Sequence, residues 1–62
     1  MAIHYKSPTE EYLINPSNIQ YVQLFPNEKS IKVIFIGEQS ISLNFTESAD
    51  YAYMVRQITN QT

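Results

Sequence analysis

Apolar and polar residues alternate along most of this chain, the two-residue period of strands that turn one face inward. Ile3 and Tyr5 alternate with His4 and Lys6, which predicts a short first strand. Tyr12-Leu13-Ile14 predicts a second, and Ile19 to Phe25, rich in β-formers, a third. Ile31 to Ile36 predicts a fourth. Ser40 to Phe45 alternates cleanly, with Ile41, Leu43 and Phe45 on one face and Ser42 and Asn44 on the other. The period then changes. Tyr51, Met54, Val55 and Ile58 fall on one helical stripe, and Thr46-Glu47-Ser48 can cap that helix. Glu47 and Asp50 lie near its positive end and Arg56 toward its negative end, while Asn60-Gln61-Thr62 is expected to fray.

The segments between these runs carry turn chemistry. Ser7-Pro8-Thr9-Glu10-Glu11 reads as a turn led by proline. Asn15-Pro16-Ser17-Asn18 is the strongest turn signal, because the residue before proline is pushed out of the helical region. Pro26-Asn27-Glu28-Lys29 reads as a hairpin loop. Gly37-Glu38-Gln39 reads as a tight turn, with Gly37 supplying a positive φ. The expected fold class is α+β: a small antiparallel β-meander, curled or barrel-like, with one C-terminal α-helix, forming one domain over residues 1–62. The expected core is Ile3, Tyr5, Ile14, Ile19, Val22, Leu24, Ile31, Val33, Phe35, Ile41, Leu43, Phe45, Tyr51, Met54, Val55 and Ile58.

One strand breaks the alternation rule. Ile31, Val33 and Phe35 share one face, while Ile34 and Ile36 share the other with Lys32. A sheet with one wet face should carry polar residues at alternate positions. Burying an isoleucine is worth roughly 1.5–3 kcal/mol, a sizeable share of a small domain's stability, so Ile34 and Ile36 call for a cover. Three covers are open: the first strands curling over into a barrel, a second subunit, or a ligand in a groove.

Composition sharpens this. A chain of 62 residues has a marginal core, and with no cysteine it has no disulfide to reinforce it. One histidine and no cysteine exclude the usual zinc ligand sets. That leaves good packing or self-association. The charged fraction of 16% lies below the usual ~25%, and the hydrophobic fraction of 44% is not that of a disordered chain. No apolar run reaches the ~18 residues of a membrane span, and the start lacks the charged-then-apolar order of a signal peptide, so a cytoplasmic location and no membrane partner are expected. The sequons Asn44-Phe45-Thr46 and Asn60-Gln61-Thr62 are then chance matches.

Catalysis finds little support. There is no cysteine nucleophile, and His4 stands near a free end without an evident orienting partner. The acidic pairs Glu10-Glu11 and Glu47 with Asp50 lie in a loop and at a helix start, where solvation and the helix dipole explain them. A single glycine rules out a glycine-rich phosphate loop. No enzyme, cofactor or metal is expected. Single-stranded nucleic-acid binding by a small β-barrel is the alternative: Tyr5, Tyr12, Tyr21, Phe25, Tyr51 and Tyr53 could stack, and Lys6, Lys29, Lys32 and Arg56 could supply charge. Four scattered cations in a chain of net charge −2 argue against it. Protein–protein interaction fits the residues best, since tyrosine joins apolar area to a polar tip. Ile34, Ile36, Tyr21 and Tyr53 are the candidate interface residues, with Tyr53 pointing off the helical stripe, and the expected partner is a second copy in a homodimer or higher homo-oligomer.

Ile14-Asn15-Pro16-Ser17-Asn18-Ile19 and Phe45-Thr46-Glu47-Ser48, separated by a hairpin, form a pattern that resembles small bacterial and phage proteins of the FlbD/SwrD flagellar-operon type, short chains tied to swarming motility. The resemblance covers roughly Tyr12 to Ile58. The chain departs from that family where Ser7 to Glu11 stands in place of a glycine turn and Ile36-Gly37-Glu38-Gln39 in place of an Asn-Gly turn. The resemblance implies a bacterial or phage accessory protein without catalysis and transfers no functional residue. The expected function is a non-catalytic interaction module, working as a homo-oligomer or as an adaptor on a larger protein.

Overall fold

The computed structural model describes residues 2–61. Its strands form two separate antiparallel sheets: a hairpin of β1 (Ile3–Lys6) and β2 (Glu11–Ile14), and a three-stranded meander of β3 (Ile19–Phe25), β4 (Ser30–Phe35) and β5 (Ser40–Asn44). The helix α1 (Ser48–Gln61) follows. The α+β meander with its C-terminal helix is therefore the fold, and the sheets do not close into a barrel. Asn60 and Gln61 continue the helix at the place where fraying is expected, while Thr62 lies outside the described residues, as does Met1.

Each turn forms for a local reason. Asn15 accepts from the Ser17 backbone N–H (3.1 Å) and hydroxyl (2.8 Å), which winds Pro16–Asn18 into one turn of 3₁₀-helix. Pro26–Glu28 makes a second 3₁₀ turn, and Lys29 closes it in the left-handed region at φ 52°. The β4–β5 connection takes φ +98° at Gly37 and +70° at Glu38. It is closed by Phe35 N–H donating to the Gln39 carbonyl at 2.7 Å and Glu38 N–H to the Phe35 carbonyl at 3.0 Å. β4 ends at Phe35 and Ile36 begins the turn, its N–H still donating to the Asn18 carbonyl just before β3 at 2.8 Å. At the helix entry, the Glu47 carbonyl accepts from Tyr51 N–H at 3.1 Å, which puts the cap position on Glu47.

The core lies on one side of the meander. Ile31 and Val33 of β4 and Leu43 of β5 are fully buried there beneath Ile3, Tyr5 and Ile14 of the hairpin and Met54 and Ile58 of the helix. Hairpin and helix together thus form the second layer over a single sheet face. Rings join the pieces: Tyr5 stacks on Tyr12 (centroids 6.1 Å apart) and meets Phe45 edge-on (5.5 Å), and Phe45 meets Tyr51 edge-on (6.3 Å). The Tyr5 hydroxyl donates to the Asn44 carbonyl (3.0 Å) and accepts from the Asn44 N–H (3.2 Å), so a side chain takes the place of a neighbouring strand at the end of β5.

Two expectations about the core need correction. Leu24 shares the inward face with its partner Ile31 but is 48% exposed, because β3 is an outer strand and neither upper-layer element covers this end of it. Ile34, on the opposite face, is only 7% exposed. It is shielded by its own chain: Tyr21 and Ser40 sit beside it in the ladder, and Gln20, Lys32 and Glu38 surround the shallow depression above it. The first strands do not curl over that face, since they pack on the other one.

Candidate interaction surface

The four candidate interface residues fall in three places. Tyr21 and Ile34 are cross-strand neighbours on the outer face of the meander, where Tyr21 is exposed and Ile34 buried beneath its neighbours. Ile36, 67% exposed, stands at the β4–β5 turn and lines a depression with Leu13, Phe35, Asn15 and Gln39. Tyr53 projects from the flank of α1 beside His4 and Lys6 of β1, on the core side of the sheet and away from Tyr21. The structure therefore joins Tyr21 to Ile34 and separates Ile36 and Tyr53 from both.

Three further large apolar residues are exposed that the candidate set lacks: Leu13, Leu24 and Phe25. Leu13 is 76% exposed, because it opposes His4 on the outer side of a hairpin whose other side is the core. Its position between Tyr12 and Ile14, out of phase with Ile14, is the sequence signal that could have placed it outward. Leu24 and Phe25 flank a depression at the β3–β4 loop with Pro26, Asn27 and Glu28. No signal in the sequence separates Leu24 from Val22, its neighbour on the same face of β3, which is partly buried.

The polar groups are spread out. His4 Nε2 meets Glu11 Oε2 at 2.5 Å across the hairpin, with both side chains more than half exposed, so the contact contributes little to stability. Glu10 instead accepts the Tyr12 hydroxyl at 2.8 Å. That hydrogen bond, followed by partial desolvation and the Glu10 charge, raises the Tyr12 phenol above its ordinary range. The adjacent carboxylates Glu10 and Glu11 thus serve different partners. Among the described residues no three His, Asp or Glu side chains converge as a metal site would require. Of the rings that could stack on nucleic-acid bases, Tyr5, Tyr12 and Tyr51 are engaged in the intramolecular ring contacts, while Tyr21, Phe25 and Tyr53 are exposed. Among the described residues no helix is long and apolar enough to cross a membrane. Comparison with protein-family models, curated proteins and solved structures matches none of them to this chain.

Proposed function

We propose that this protein is a non-catalytic protein–protein interaction module of bacterial or phage accessory type, acting in the cytoplasm as a homo-oligomer or as an adaptor on a larger protein. One observation carries the reading: Leu13, Tyr21, Leu24, Phe25, Ile36 and Tyr53 all keep large apolar area in contact with solvent in a chain of 62 residues. Small domains have little stability to spare, and exposed apolar residues that adjoin one another, as Leu24 and Phe25 do at the β3–β4 loop and Leu13 and Ile36 do at the β4–β5 turn, support contact surfaces there. Tyrosine and phenylalanine are also the residue types enriched at the centre of such contacts. The resemblance to small flagellar-operon proteins in the Asn-Pro turn and helix entry agrees with an accessory role.

The test of the homo-oligomer is mass in solution, measured by light scattering over a wide dilution series. A mass above one chain that falls on dilution is expected; one chain at every concentration would remove self-association from the reading.

Single-stranded nucleic-acid binding is the second reading. Tyr21 and Phe25 of β3 lie on the same sheet face as Lys32 of β4, so two exposed rings share a surface with a cation. That binding should weaken steeply with salt. A gel shift that stays flat even at low ionic strength eliminates it.

A further inference from the structure

β3 is paired along one side only: β4 lies against it, and no described strand pairs with its other side. The ladder fixes which backbone groups face outward. Phe35 N–H bonds to the Gln39 carbonyl across the β4–β5 hairpin. Antiparallel groups alternate in direction, so residues 31, 33 and 35 turn their N–H and C=O toward β5, and residues 30, 32 and 34 turn theirs toward β3. Their β3 partners Phe25, Gln23 and Tyr21 point back to β4. The N–H and C=O of Val22 and Leu24 therefore face away from the sheet.

Proteins usually blunt such an edge with a charge, a proline or a bulge. Here the register irregularity falls between Ile19 and Tyr21, and Pro26 begins the following turn. Between them Tyr21-Val22-Gln23-Leu24-Phe25 runs with no charge, proline or glycine.

We infer that this edge pairs antiparallel with the same edge of a second copy, about a two-fold axis through Gln23, to make one continuous six-stranded sheet. The inference rests on the self-association reading above. The register follows from the backbone. With the axis at Val22, Leu24 would face Gln20 in the irregular part of the strand. With the axis at Leu24, Val22 would face Pro26, which has no N–H to give. With the axis at Gln23, Val22 and Leu24 of each copy face Leu24 and Val22 of the other, and every outward N–H and C=O of these residues finds a partner. The side chains match in that register alone. Val22 meets Leu24 on the core side, covering the leucine that the helix and hairpin leave exposed. Tyr21 meets Phe25, and Gln23 meets Gln23, on the outer side. Aromatic and aliphatic cross-strand pairs of this kind stabilise sheets. The nearest like charges, the two Lys32 opposite Gln23, would stand three strand spacings apart, about 14 Å, beyond the ~8 Å screening length at physiological salt.

The chain contains no cysteine, so single-cysteine variants report cleanly. In the proposed register the two Gln23 Cα atoms form a non-hydrogen-bonded pair about 4.5 Å apart, within disulfide range. Mild oxidation should turn Gln23→Cys into a covalent dimer much faster than Ser42→Cys, an exposed control on β5. Leu24→Lys should keep its circular dichroism and run as a monomer. Without any substitution, the amides of Val22 and Leu24 should exchange with solvent more slowly as the wild-type chain is concentrated. A wild-type chain that is dimeric while Gln23→Cys crosslinks no faster than the control, or while the Val22 and Leu24 amides ignore concentration, overturns this pairing and leaves self-association to another surface such as Leu13 and Ile36. A wild-type chain that stays monomeric overturns both.

Discussion

Two tyrosine hydroxyls in this protein meet opposite fates. That of Tyr5 both donates to and accepts from the backbone of Asn44. That of Tyr51 is buried with no partner among the described residues, although its ring packs edge-on against Phe45. A buried hydroxyl left unbonded costs about 1–3 kcal/mol of desolvation. Tyr51→Phe is therefore expected to leave stability unchanged or raise it by about 1 kcal/mol in urea unfolding, and a loss of that size would mean that the hydroxyl does find a partner. Tyr12 behaves differently again, because its phenol is held above the ordinary range by its bond to Glu10. A folded-state pKa raised above the unfolded one means that the folded chain holds this proton more tightly. The contribution is complete below the unfolded value of about 10 and is lost as pH rises through the folded value. In an alkaline absorbance titration, the difference between wild type and Tyr12→Phe should locate this phenol above the ordinary value, and Glu10→Gln should bring it back.

At the scale of elements, the weak point of a small sheet is its edge, and this sheet treats its two edges differently. At β5 the Tyr5 hydroxyl occupies the backbone groups of Asn44, tying the hairpin to the meander. Tyr5→Phe removes both bonds while keeping the ring contacts with Tyr12 and Phe45. The expected cost is about 1–2 kcal/mol, at about 1 kcal/mol per bond, with faster amide exchange at Asn44. Unchanged exchange there would show that the tyrosine is not the partner of that amide. At β3 no such bond is seen among the described residues, which leaves the outward backbone of Val22 and Leu24 open to the second chain proposed above. Element boundaries respond to equally local forces. Ile36 leaves β4 because Gly37 and Glu38 both take positive φ and the Phe35–Gln39 bond closes the pairing with β5 one residue before the apolar run ends, while the Ile36 N–H still reaches the Asn18 carbonyl.

For the whole molecule, the decisive fact is that hairpin and helix share one face of a three-stranded sheet. A chain of this size has about 3–9 kcal/mol of total stability, so the centre of that layer cannot lose much. Leu43 is fully buried, and Leu43→Ala is expected to cost about 2–5 kcal/mol and to leave the chain partly unfolded at room temperature. Leu24→Ala, at the uncovered end of β3, is expected to cost under about 1 kcal/mol in the isolated chain. Equal losses in the two variants, read from thermal melts at low concentration, would mean that the second layer extends over β3 after all.

Much of this architecture is legible in the residues because it is set by forces acting within a few positions. The strand period, the Asn15-Pro16 and Gly37 turns, the switch to a helical stripe at Tyr51 and the candidate exposure of Tyr21 and Tyr53 are of this kind. Alternation, however, reports only which way a side chain points. What stands over it is decided by how distant segments pack, and that is why Leu24 points inward and stays wet while Ile34 points outward and is dry. The division into two sheets, the single covered face and the free side of β3 belong to the same class. They depend on contacts between segments far apart in sequence, such as Tyr5 with Asn44, and no local pattern encodes them.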